Sequence, residues 1–253
     1  MRHYFTLLRS EIWRLLINPS TYIAAFLFLL VMGFMFQYML TLYSSDPQDE
    51  TPSVLFFQMF FIPVFFMVPL LTMRSMADER SSGTIESLLT TPVTITEVVL
   101  AKFSASYLYY CTLWLITGTF HIIFFTFAQQ DTIIDPYPLI GGYGFIFLSG
   151  ALFLALGIFA SSLTSSQLVA GILGFSLVFG FIVIGSNISD LTTIAPGQHL
   201  WIRQLADHTN ALQHMSDFSA GIIDTRAVVL YITSSLAFLF LAILMVEYKD
   251  GLS

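Results

Sequence analysis

The chain has 253 residues, of which 56% are hydrophobic and 10% charged, and its mean hydropathy is +0.80. A soluble domain carries about 25% charged residues, so this composition excludes a soluble globular fold. The formal net charge of −7 hides the informative feature, which is where the basic residues lie.

The apolar residues gather in runs of about 20, the length that crosses a bilayer as a helix. The short alternating segments of a β-barrel are missing. The expected fold is an all-α polytopic membrane protein, with one transmembrane domain over 1–253. Residues 1–19 read as an amphipathic helix on the membrane surface. Phe5, Leu8, Ile12, Leu15 and Leu16 share one helical face, while Arg2, Arg9, Ser10 and Arg14 leave the others basic or polar. Asn18-Pro19 ends it. The spread of arginines and the long apolar run that follows argue against a signal peptide.

Six spans are expected, at 22–42, 54–73, 104–128, 139–163, 168–185 and 228–248. Pro63 and Pro69 predict a kink in the second. Gly150, Gly157, Gly171 and Gly174 let neighbouring helices approach closely, and a short Ser-rich turn joins the fourth and fifth spans. Cys111 is the only cysteine, so no internal disulfide forms, and it reads as a small buried hydrophobe. Between the fifth and sixth spans lies the longest loop, 186–227. There Leu205, Leu212, Met215, Phe218 and Ile222 recur at near-helical spacing and predict one or two short helices on the outer membrane face.

Orientation follows from Lys and Arg. With the N-terminus inside, the inner segments hold Arg2, Arg9, Arg14, Arg74, Arg80, Lys102 and Lys249, and the outer ones only Arg203 and Arg226. Both termini and the 74–103 segment are therefore expected in the cytoplasm. That segment is an elbow dense in helix stop and start signals. The charged run Asp78-Glu79-Arg80 precedes helix-breaking Gly83, and a short helix is expected over 84–90. Pro92 forces Thr91 out of the helical region. Thr94 and Glu97 then form a capping box ahead of an apolar run.

The chemistry that is missing narrows the function. No G-x-x-x-x-G-K-[ST] occurs, so the chain cannot cradle a nucleotide phosphate by itself. Five expected spans have no ionisable Asp, Glu, Lys or Arg in their interiors, and Glu247 sits at the end of the sixth. His121, Gln37 and Gln58 have no acidic partner, which argues against an ion-coupled pump. No catalytic motif or intramembrane Asp pair is present. His199, His208 and His214 share the long loop at spacings that match no standard metal motif.

The elbow carries a resemblance. Glu79-Arg80-Ser81-Ser82-Gly83-Thr84-Ile85-Glu86-Ser87-Leu88-Leu89, then Thr91-Pro92-Val93, then Lys102-Phe103, resembles the cytoplasmic motif of type-2 ABC exporter permeases. The basic N-terminal helix and six-span plan agree with it. The stretch Phe218 to Arg226, leading to Tyr231, is similar to the gliding-motility-associated branch of those permeases. The resemblance implies a non-catalytic permease subunit in a bacterial inner membrane. It implies pairing with a second permease, a copy or a paralogue, and docking of two cytoplasmic ATPase subunits that hold ATP and Mg; the chain itself would bind no cofactor and no nucleic acid. It makes 84–90 a coupling helix with Leu88 and Leu89 as apolar contacts and Glu79, Arg80 and Glu86 as a polar rim. Gly83, Thr84 and Pro92 would shape it. The competing reading is a membrane anchor that holds a cytoplasmic partner without transport.

Overall fold

The computed structural model describes residues 2–45, 52–84, 93–127, 136–186 and 208–250. Among them the regular structure is entirely helical. In chain order the helices are α1 (Arg2–Ile17), α2 (Pro19–Ser45), α3 (Pro52–Gln58), α4 (Phe61–Thr72), α5 (Ala77–Ser81), α6 (Ile95–Phe127), α7 (Pro136–Ser162), α8 (Gln167–Phe179), α9 (Ala211–Ser219) and α10 (Thr225–Asp250).

Among the described residues, five stretches are long and apolar enough to cross a membrane: Pro19–Leu42, Phe61–Ser81, Ile95–Ile123, Tyr137–Ser162 and Thr225–Lys249. The chain is a multi-pass membrane protein. The expected fifth span corresponds to α8, and the apolar stretch Gln167–Val183 is shorter than those five. It runs on from α8 through one π turn, Gly180–Ile184.

The kink expected in span two falls at Met59–Phe60, a tight hydrogen-bonded turn that separates α3 from α4. Pro63 has no N–H to return to Met59, yet it suits the first turn of the new helix α4. Pro69 stays inside α4, and the helix closes on Met73 N–H to Pro69 O at 2.8 Å.

The centre of the bundle is α7. Of its most apolar window 72% is buried, against 22% for the corresponding windows of α2 and α10. It packs against α10, α8, α9 and α6. Four of its glycines make this possible: a Cβ on Gly141 would meet the Phe218 carbonyl of α9, and one on Gly142 the Phe57 ring of α3. A Cβ on Gly150 would meet the Tyr110 ring of α6, and one on Gly157 would meet Thr72 at the end of α4. Gly171 and Gly174 make only ordinary contacts. Around α7 the core is aromatic: Trp114, Tyr110, Tyr231, Phe57, Phe60, Phe145 and Phe153 are all fully buried. Each buries on the order of 150–250 Å², which supplies the van der Waals packing that holds helices together where water is absent.

The long loop contributes one described short helix. Asn210 caps α9, its side chain accepting from Gln213 N–H at 3.1 Å. The helix buries Ala211, His214, Met215 and Phe218 and packs on α7 and α3. It therefore closes one end of the bundle instead of lying beside it. Ile222, expected on the same face, is exposed, because the chain has already turned at Gly221, whose φ is +81°. Leu205 lies outside the described residues.

Candidate functional site

The opposite end of the bundle holds a charge cluster, built where three segments meet. The start of α6 supplies Lys102, α5 supplies Glu79, and α1 supplies Glu11 and Arg14. Lys102 is 3% exposed and Glu79 5%. Lys102 Nζ donates to Glu79 Oε1 at 2.7 Å and to Glu11 Oε1 at 3.1 Å. Arg14 Nη1 donates to the same Glu79 oxygen at 2.5 Å and to Glu11 Oε1 at 3.3 Å. The Arg14 side chain is 59% exposed, so solvent weakens its share to the few tenths typical of surface pairs. The pair that decides the geometry is Lys102 with Glu79, both out of water.

Local sequence explains the arrangement. The Thr94–Glu97 capping box forms as expected: Glu97 N–H donates to Thr94 Oγ1 and Thr94 N–H to Glu97 Oε2, each at 3.2 Å. It starts α6 so that Lys102 falls about two turns in, facing α1. Gly83 takes φ +68°, a left-handed conformation that costs other residues roughly 1–2 kcal/mol, and it ends the α5 segment. From its last residue onward, Ser81, Ser82, Gly83 and Thr84 are exposed.

The five apolar residues expected on one face of α1 divide in the structure. Leu8, Ile12 and Leu15 are half-buried, whereas Phe5 is 66% and Leu16 42% exposed. Glu11, the only acidic residue of α1, lies on the side that meets Lys102. Tyr4 OH follows, donating to Ser104 Oγ at 2.8 Å.

A second set of bonds holds α5 from its other side. Ser161 Oγ, at the end of α7, accepts from Met76 N–H at 3.0 Å and from Ala77 N–H at 3.1 Å. Arg80 Nη1 donates to Ser162 O at 2.6 Å, and Asp78 accepts from Gln167 at the start of α8. Arg74 Nη1 reaches Asn18 Oδ1 at 2.9 Å, tying the end of span two to the α1–α2 junction. The C-terminal helix joins through Lys249 Nζ to Leu163 O at 2.7 Å. Thus α5, five residues long, is bonded to α1, α6, α7 and α8.

Of the residues expected at the coupling interface, Glu79, Arg80, Gly83 and Thr84 are described. Glu79 is not at a rim: it points into the chain's own charge cluster, because Lys102 is there to receive it. Arg80 is half-buried against the α7–α8 turn, and Gly83 and Thr84 form the exposed tip. Glu86, Leu88, Leu89 and Pro92 lie outside the described residues, as does most of the 84–90 helix. Arg9 is exposed on α1 among apolar residues, and of the Arg2 side chain nothing is described. Sequence reasoning missed Glu11, Asn18 and Ser161. The available signal was the single acid in an otherwise basic helix, three residues before Arg14 and opposite a lysine that opens an apolar span.

Elsewhere, His214 turns inward, with Nδ1 3.4 Å from Tyr231 OH. Burial holds it below the ordinary imidazole range, although Asp217 and Asp224 pull the other way. His199 lies outside the described residues. Among the described residues no three His, Cys, Asp or Glu side chains are grouped to hold a metal.

A multi-pass helical bundle with a polar, multiply braced elbow is the class of protein these features define. A family model described as ABC-2 family transporter protein matches residues 9–249, and the chain belongs to that family. It is the permease subunit of an ABC transporter, a membrane component that in this family is generally not itself catalytic. A search of curated proteins returned no match.

Proposed function

We propose that the chain is the passive membrane half of an ATP-driven exporter, worked by separate cytoplasmic ATPase subunits that grip its elbow. The observation that carries this reading is the bracing of α5. A push on the exposed 81–84 tip meets, within one short helix, hydrogen bonds to α1, α6, α7 and α8. Rigid helices then pass the displacement across the membrane. The chain has no nucleotide-binding motif, so the free energy comes from the partner's ATP.

In this reading the elbow end faces the cytoplasm, in the inner membrane of a bacterium. Residues 84–90 form the coupling helix with Leu88, Leu89 and Glu86 at the contact, while Glu79 transmits instead of touching the motor. A second permease, a copy or a paralogue, completes the pathway, and two ATPases with ATP and Mg dock below. Parity supports α8 as a sixth span. It leaves the α7 turn at the elbow end, its π turn reaches α9 at the far end, and α10 returns to bond Leu163. At about 1.5 Å per residue, the helical run 167–186 is about 30 Å long, enough to cross the hydrocarbon.

Cross-linking tests this. In a Cys111→Ala background, Ser82→Cys should form a disulfide or bismaleimide link to a co-purifying Walker-motif ATPase. It should react with impermeant maleimide only after the cytoplasmic side is opened. Labelling from the extracytoplasmic side, or no ATPase in the linked product, contradicts the reading.

A further inference from the structure

Four residues, 73–76, join α4 to α5, and the last turn of α7 lies against them. The hydroxyl of Ser161 is engaged there on every side. Its oxygen accepts from Met76 N–H at 3.0 Å and from Ala77 N–H at 3.1 Å, and its hydrogen goes to Met73 O at 3.3 Å. A hydroxyl has one hydrogen and two lone pairs, so these bonds use it completely. The two N–H groups open α5, where a helix has no acceptors of its own, and Met76 supplies no side-chain cap. Ser161 therefore caps α5 from a different helix while also holding the carbonyl that follows α4. Ser161, Met76 and Ala77 are all buried. One turn earlier, Gly157 lets α7 touch Thr72, so α7 follows the chain from the end of α4 to the start of α5.

The other braces of α5 differ in kind. Lys102 with Glu79, Arg80 with Ser162 O and Gln167 with Asp78 each join through several rotatable bonds, so α5 can shift while the neighbouring helix stays. Ser161 has a single rotatable bond between its backbone and the oxygen, and its partners are backbone groups. A hydrogen bond is lost by about 3.5 Å, so α5 can leave α7 by only a fraction of an ångström before two buried donors lose their acceptor. We propose that Ser161 is a positioning residue for ATP-driven transport: its hydroxyl makes α7 move with the elbow, so that displacement of the 81–84 tip becomes displacement of the central helix. The inference rests on the coupling role proposed above and names the residue through which that coupling reaches α7.

The test uses the complex with its co-purifying ATPase, in lipid, from a Cys111→Ala chain that carries Ile140→Cys labelled with bimane. Ile140 is exposed near the far end of α7, about 30 Å along the helix from Ser161. In this parent chain, bimane emission should differ between the nucleotide-free complex and the complex trapped with MgATP and vanadate. Adding Ser161→Ala should abolish that difference while the ATPase stays bound and still hydrolyses ATP. Ser176→Ala, which removes a hydroxyl from an exposed face of α8, should leave the difference in place. A bundle that was merely destabilised would lose bound ATPase and turnover as well, so the split separates transmission from folding. An emission difference that survives Ser161→Ala overturns the proposal. A parent chain with no bound ATPase, or with no difference, defeats the coupling role itself and the inference with it. Should the Ser161→Ala complex not assemble, hydrogen exchange on the unmodified complex decides. Amides over 75–78 should stay as protected as those of α7 in both nucleotide states, and exchange that opens there in either state overturns the proposal.

Discussion

Glu79 Oε1 accepts from two cations, and only one of them is dry. Removing one partner of a buried pair costs about 3–5 kcal/mol, whereas replacing the whole pair by apolar groups is often neutral or better. The cluster is therefore poor evidence of stability and better evidence that position matters: it fixes α5 against α1 and α6. Lys102→Met should lower the thermal midpoint of the purified protein by roughly 10 °C, at about 2–4 °C per kcal/mol for a chain of this size. The double change Lys102→Met/Glu79→Leu should recover most of that loss. An unchanged midpoint in the single variant would show that the pair is open to water. At Gly157 the opposing surface is Thr72, so Gly157→Val should overpack the α4–α7 contact and cost about 1–3 kcal/mol, read as a lower midpoint or a broadened elution profile. A native midpoint would mean that α4 stands further off.

At the scale of helices, the docking of α9 has a pH dependence whose sign follows from burial. His214 sits against Tyr231 with its imidazole held below the ordinary range, opposed by Asp217 and Asp224 and helped by His208. In the unfolded chain it titrates near 6.5. Between that value and the lower folded one, the unfolded state binds the extra proton. The contribution is thus fully present above pH about 6.5 and is lost as pH falls through the folded value. Hydrogen exchange over 211–219 should accelerate as pH drops from about 7.5 to 5.5, after correction for intrinsic rates, more than over α7. Equal protection at both values contradicts the assignment. Helices were legible from sequence wherever one rule acts locally, as in apolar run length, the Thr94–Glu97 box, the Asn18-Pro19 stop and Gly83. The interruption at Met59–Phe60 lies one turn before Pro63, where that proline removes the i→i−4 bond to Met59. The pairing of Glu11 and the inward turn of Glu79 were not legible, because each depends on Lys102, a residue 91 positions from Glu11 and 23 from Glu79. Charged residues look like rim residues until their partners are placed.

For the whole molecule, the account makes one end a handle and the other a closed cap, with α7 as the shaft between them. The elbow end gathers α1, α5, the start of α6, the α7–α8 turn and the end of α10, while α3 and α9 seal the far end. A scaffold that only holds a partner has no need for one short helix bonded to four others. The coupling role proposed above does need such bracing, since α5 reaches α6, α7 and α8 through its own bonds. The measurement that tests this most directly is MgATP turnover by the affinity-purified complex in lipid, for the unmodified chain and for Leu88→Asp/Leu89→Asp. We predict that an ATPase co-purifies with the unmodified chain and hydrolyses ATP, and that the double variant, inserted and folded as judged by its midpoint, loses the subunit and the activity together. Retention of a bound ATPase with unaltered turnover would contradict the account.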